Sequence, residues 1–348
     1  MNRTYQTYVS RDKLPSYVPS QLARVFINRM NTAESTAVVS LVSREFSEEA
    51  HWKNLLSYSV QGNLQAVFDE YVHLLSNGVN TEDDFVGQIH SQMMESMNIR
   101  TTLYNVDTYR TFKRGIEGRK ERVVNLRSHF AVAFTKGDGK AEAGDRKKIL
   151  RNAFNSPFRP FVLATTSIGQ EGLDFHNYCR KIVHWNLPSN PIDLEQREGR
   201  INRFECLAIR QNVAKRYGDI VFQQNVWKEM FEEAARREKT GEASDLIPYW
   251  SLTDTGDDMV KIERMVPMYP FSRDRNSYER LIKILSLYRL TLGQARQEEL
   301  LEYLLDNNAD PEELEHLFIN LSPFYRKYLK KPIIKAKVKD STVKGEPS

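Results

Sequence analysis

Apolar residues recur at helical spacing through residues 1 to 97. Trp52, Leu55 and Leu56 predict one helix, and Leu64, Val67, Phe68, Tyr71, Leu74 and Leu75 predict a second that Gly78 stops. Phe85, Ile89, Met93 and Met97 predict a third. Such stripes are the packing faces of helices before they are binding surfaces. From Ile99 the texture changes. Thr101 to Val106 reads as a strand, Tyr109 to Arg127 as a charged helix and His129 to Phe134 as a buried strand. A helix near Asp145 to Phe154 then leads into the apolar run Phe161-Val162-Leu163-Ala164. This β-α-β-α-β alternation predicts an α/β fold whose parallel sheet is closed by right-handed crossovers.

A further buried strand is expected at Ile182-Val183-His184-Trp185-Asn186-Leu187, ended by Pro188. Beyond it the helical period returns at Leu207 to Tyr217 and Asn225 to Arg237. Tyr278, Leu281, Ile282, Leu285, Tyr288 and Leu292 share one face, Gln297 to Leu305 gives another run, and Pro311 opens a last helix with Leu314, Phe318 and Leu321. Residues 1–97 are therefore read as a helical region, 98–224 as the α/β lobe, 225–329 as a C-terminal helical region and 330–348 as a disordered basic tail.

Ligands of a parallel α/β sheet sit outside the carboxyl ends of its strands. The run ending at Ala164 is followed there by Thr165, Thr166 and the glycines of Gly169-Gln170-Glu171-Gly172-Leu173-Asp174. Farther on, Gln196-Arg197-Glu198-Gly199-Arg200-Ile201-Asn202-Arg203 sets two arginines three apart. If that segment opens a helix, Arg200 and Arg203 lie on one face and can reach one polyanion. The plainer alternative is an exposed charged helix. Asp174 can likewise be the cap of a turn, and Thr165 and Thr166 ordinary strand residues.

Ser167 to Phe175 and Leu187 to Arg203 resemble motifs V and VI in the second RecA-like lobe of superfamily 2 helicases, and most nearly those of Swi/Snf-type ATPases. The resemblance implies a RecA-like parallel-sheet lobe at 98–224, flanked by helical regions, of which 1–97 resembles an insertion between lobes. It implies that Arg200 and Arg203 contact the terminal phosphate of ATP as arginine fingers, with Gln196 and Gly199 ordering that contact. Gly172 and Asp174 match the motif V turn and its acid, which touches the ribose or couples nucleotide to strand movement. Thr165 and Thr166 match hydroxyls that contact nucleic-acid phosphate. Phe204-Glu205-Cys206 departs from the Gly-Gln element that follows the last arginine in Swi/Snf-type proteins.

A working ATPase of this class also needs a P-loop and an acidic box to hold the phosphates and magnesium. No Gly-x-x-x-x-Gly-Lys-Ser/Thr occurs in the 348 residues. Gly137-Asp138-Gly139-Lys140 lacks the spacing, and Asp69-Glu70 falls within a helical stripe. The implied ATP, with its magnesium, would be gripped mainly by a first lobe in another chain or a missing segment. The isolated chain is expected to be inactive as an ATPase.

Composition adds limits. At 40% apolar the chain can bury sizeable cores, and no run approaches the roughly 20 apolar residues of a membrane span. No signal peptide opens the sequence, so a cytoplasmic location and no membrane partner are expected. Cys179 and Cys206 are too few for a disulfide framework, the histidines are scattered, and no metal site is expected. The net charge of +4 is carried by the tail, where Arg326 to Ser348 holds eight Lys or Arg against two acids, leaving about −2 before it. Such a tail either attracts phosphate backbones or simply solubilises.

Three functions follow as expectations. The first is the second motor lobe of a helicase-like, nucleic-acid-dependent ATPase, as a fragment or a split subunit, with nucleic acid as partner and DNA ahead of RNA. The second is a non-catalytic nucleic-acid-binding or assembly module that retains the fold. The third is a structural remnant.

Overall fold

A computed structural model of the chain describes residues 2–8, 14–42, 50–79, 84–99, 101–106, 109–118, 124–129, 141–158, 160–165, 174–239, 244–253, 256, 258–290 and 297–307. Six helices come first: α1 (Asn2–Gln6), α2 (Tyr17–Met30), α3 (Ala33–Val42), α4 (His51–Gln61), α5 (Leu64–Ser76) and α6 (Phe85–Met97). The central part runs β1 (Thr101–Val106), α7 (Tyr109–Ile116), β2 (Val124–His129), α8 (Ala141–Phe154), β3 (Lys181–Val183), α9 (Pro191–Glu198) and α10 (Leu207–Tyr217). It continues through α11 (Val226–Glu238), β4 (Glu263–Met265), α12 (Asp274–Leu290) and α13 (Gln297–Asp306).

Of the N-terminal helices, α4, α5 and α6 form where the apolar spacing placed them, while α1, α2 and α3 were not expected. In α5 the side chain of Asn63, itself in the left-handed region, accepts from the Ala66 amide and starts the helix. Phe68, Tyr71 and Val72 on its buried face meet Leu22 and Phe26 of α2 and Ile89 and Met93 of α6 in one core. Asp69 and Glu70 are helical, as the stripe required. That core does not stop at the helical region: Phe158 packs edge-on against Phe26 and Tyr71, and Tyr178 against Tyr71. Each such ring buried is worth on the order of 2 kcal/mol, so the helices are a wall of the central part rather than an appendage.

Two expectations about the sheet are corrected. β1 and β2 pair antiparallel, Val106 opposite Val124 and Thr101 opposite His129, where a parallel crossover was expected. The charged helix ends at Ile116, and Gly118 takes a positive φ of 74° just beyond it. The chain thus turns back on itself as a wide hairpin. Alternation of elements does not set strand direction; the connection does. The run Phe161 to Ala164 is not a strand either, since Phe161 and Val162 stand largely in solvent and Leu163 alone tucks into the core against Phe154, Phe175 and Ile201.

The parallel pair that does form joins β3 to β4, Ile182 opposite Arg264, so its second strand comes from residues 263–265 within the segment read as helical. β2 occupies 124–129, mostly within the segment read as helix; beyond His129 the expected strand at 129–134, the glycines of 169–172 and the final helix near 314–321 lie outside the described residues. Among the described residues no helix is long and apolar enough to cross a membrane.

One side chain ties the layers together. Arg210 of α10 is fully buried, donating from Nε to Glu70 of α5 at 2.8 Å and from Nη1 to the Glu205 carbonyl at 2.6 Å. Its Nη2 reaches the Asn177 carbonyl, and its plane lies 5.4 Å from the Tyr178 ring centre. Removing one member of a buried charged network leaves the others desolvated and unpaired. Arg210→Ala should cost about 3–5 kcal/mol in urea unfolding. A loss below about 1 kcal/mol, the scale of an exposed pair, would rule out this structural role.

Candidate functional site

The site grows from the start of α9. Asn190 accepts from the Ile192 amide at 2.9 Å, Pro191 occupies the first turn, and Asp193 there complements the helix dipole. Glu198 is the last helical residue, and Gly199 caps the end. A side chain at Gly199 would press on the Glu195 carbonyl at 3.2 Å, which suits glycine to this tight exit. Arg200 and Arg203 therefore follow the helix, in a turn, rather than sharing a helical face as expected.

The turn still brings motifs V and VI together. The Phe175 amide donates to the Arg200 carbonyl at 2.9 Å, and the Leu207 amide to the His176 carbonyl at 3.0 Å. Between these two backbone bonds Arg203 donates from Nε to Asp174 at 3.0 Å. Both partners of that pair are about half exposed, so it is worth on the order of 1 kcal/mol or less and exchanges readily for another anion. Arg200 is enclosed, only 7% exposed, beside Arg197, Arg203 and Asp174. Burial first, then the two neighbouring guanidinium groups, push its own guanidinium down from the ordinary arginine value, against the pull of Asp174. Three cations against one carboxylate fit a polyanion such as a triphosphate.

Gln196 lies exposed on the outer side of α9 and Gly199 at its end, within the same turn of chain as the arginines. Thr165 is exposed. Thr166 and Gly172 lie outside the described residues. Beside Arg203 and Asp174 opens a cleft of about 310 Å³, bounded by His176, Glu205 and Trp250 and, from α5, by Asn77. Glu205 is held at a positive φ of 48°. Its carboxylate accepts from Asn77 Nδ2 at 3.0 Å and meets His73 Nε2 at 3.3 Å, while its amide donates to the Tyr249 carbonyl at 2.9 Å. Glu205 is thus a buried acid that joins the end of α5 to the site.

Sequence reasoning missed the clamp behind the arginines. Arg264 of β4 grips both oxygens of Glu198, and His184, directly after β3, meets the same carboxylate at 3.2 Å. Burial alone would push the Glu198 carboxyl up, but the hydrogen bonds from His184 and Arg264 prevail and hold it down at about 2. A histidine inside the apolar run 182–187 was the available signal. Nothing near Arg264 announced its role. The clamp fixes the end of α9 and with it the exit toward Arg200.

With this geometry in place, residues 86–205 match the family model of the helicase conserved C-terminal domain. No curated protein and no solved structure gives a significant match.

A carboxylate whose folded value lies below its ordinary 4.5 lets the unfolded chain take the proton first, so its stabilisation is full above about pH 4.5 and lost as pH falls toward 2. Glu198→Gln should lower the urea midpoint at pH 7 by the equivalent of roughly 1 kcal/mol, allowing for partial exposure. The gap between variant and parent should shrink at pH 3. An equal gap at both pH values would mean the charge of Glu198 is not what holds α9.

Proposed function

We propose that the chain is the second motor lobe of a nucleic-acid-dependent ATPase, a reading supported by the match of residues 86–205 to the helicase conserved C-terminal domain. It completes a nucleotide site whose P-loop belongs to a first lobe outside these 348 residues. The observation that carries this reading is the meeting of Asp174 with Arg203, directly beside the backbone bond from Phe175 to Arg200. Arg200 is enclosed, but a half-exposed Arg203 facing an exchangeable acid adds little to the stability of the fold. In this reading Arg203 leaves Asp174 for the γ-phosphate of ATP, and Arg200 supports it from within. Magnesium is held by the first lobe. Gln196, Gly199 and Asp174 would border the nucleotide and Thr165 would contact the nucleic-acid backbone, roles the resemblance also implies for Gly172 and Thr166. The wording of motifs V and VI supports a Swi/Snf-like placement, with Phe204-Glu205-Cys206 as this chain's own departure.

A second reading has one observation in its favour. Arg200 is so enclosed that it serves the fold as well as a phosphate, which suits a nucleic-acid-binding or assembly module without turnover.

The two readings part in one experiment. The chain alone should hydrolyse no ATP above background. Combined with a P-loop-bearing first lobe, it should restore hydrolysis that nucleic acid stimulates. Arg203→Ala should then lower kcat by roughly 10³ to 10⁵, the worth of a transferred arginine finger, with the far-ultraviolet dichroism unchanged. Arg200→Lys, which keeps charge but loses the planar fork, should fall in the same direction. No restored hydrolysis would leave the non-catalytic module as the better account, and full turnover by the Arg203 variant would rule out its role as a finger.

A further inference from the structure

The parallel pair β3 and β4 ends in a patch that the nucleotide site does not use. The two strands run the same way and the His184 amide donates to the Met265 carbonyl at 2.9 Å, so the chain leaving each emerges at one edge. Trp185 follows β3 there and Tyr269 follows β4, with ring centres 6.1 Å apart and planes at 74°. Trp185 is 69% exposed, Tyr269 is 48% exposed and Phe271 is wholly in solvent. Phe271 also holds a φ of 63°, in the left-handed region that a bulky residue enters only against its preference. Burial cannot account for three aromatic rings left outside at the ligand end of parallel strands.

The surroundings select the occupant. Residues 180–185 and 261–275 carry six Lys or Arg against two carboxylates, but Arg264 is held by Glu198, and Arg180 and Lys181 lie at the start of the strands, so the arginines at this edge are Arg273 and Arg275. Glu263 is taken up by Arg180 and Lys181. Arg273 and Arg275 stand exposed beside Phe271, the latter paired to Glu279. Aromatic faces set among cations, at an edge roughly perpendicular pairs of rings leave open, suit a chain of flat bases joined by phosphates. An apolar protein face would not call for the cations.

We propose that Trp185, Tyr269 and Phe271 form a stacking platform for the bases of single-stranded nucleic acid, with the neighbouring arginines drawing in its backbone. This rests on the nucleic-acid half of the reading above and names a place for that partner apart from motifs V and VI. Bases stack on Trp185 and Tyr269 whatever their identity, because each base presents a π face.

The test uses the full chain and fluorescence anisotropy with two labelled strands of the same length, on the order of 15 nucleotides, one oligo-dT and one abasic. Trp185→Ala should weaken oligo-dT binding by about 5- to 100-fold, from the usual worth of one stacked base, and leave the abasic strand within about 2-fold. Trp185→Phe, which keeps a ring, should retain most of the affinity. Since Trp185 is exposed, the variant should fold, and a dichroism spectrum checks it. Equal affinities of parent and Trp185→Ala for oligo-dT would overturn the platform while leaving nucleic-acid binding intact, as would a variant that loses only its association with a P-loop lobe. If the parent binds neither strand, the nucleic-acid reading itself fails and takes the platform with it.

Discussion

The buried guanidinium of Arg210 is the constraint on which the arrangement depends. It is a full charge with no access to water, and each of its three nitrogens donates to a different part of the chain: Glu70 of α5, the carbonyl of Glu205 and the carbonyl of Asn177. Such a charge has a large desolvation cost unless all partners are in place together. The N-terminal helices, motif V and motif VI are thereby held to a single mutual arrangement. The aromatic cluster of Phe26, Phe68, Tyr71 and Phe158 supplies the non-directional attraction, and Arg210 supplies the register.

A second clamp acts from the other side. Glu198 closes α9 and is held by His184, directly after β3, and Arg264, in the middle of β4. Between the two clamps lies the turn 199–205, with a glycine exit at one end and the left-handed Glu205 at the other. Arg200 and Arg203 are presented by this turn. The contrast in strength is the functional point: the turn's ends are fixed by buried, charge-assisted bonds, while Arg203 itself is engaged only by a half-exposed acid. A rigid frame with one loosely held cation can exchange an internal partner for a ligand without reorganising the lobe.

The sequence by itself determined the helices and the neighbourhood of the site. Apolar spacing located α4 and gave α5, α6, α10 and α11 nearly to the residue, because a helix's packing face is a local property written every three or four positions. The resemblance to motifs V and VI singles out Asp174, Arg200 and Arg203 from the sequence, and residues 86–205 match the helicase conserved C-terminal domain. Only the tertiary structure decided how strands pair and which charges converge. β1 turns back on β2 because their connection reverses direction, and β3 finds its parallel neighbour 80 residues downstream, at Glu263 to Met265. Arg210 with Glu70, and Arg264 with Glu198, are likewise far apart in the chain. Contacts of that range leave no periodic trace, since a buried arginine and an exposed one are spelled alike and differ only in what the folded chain lays beside them.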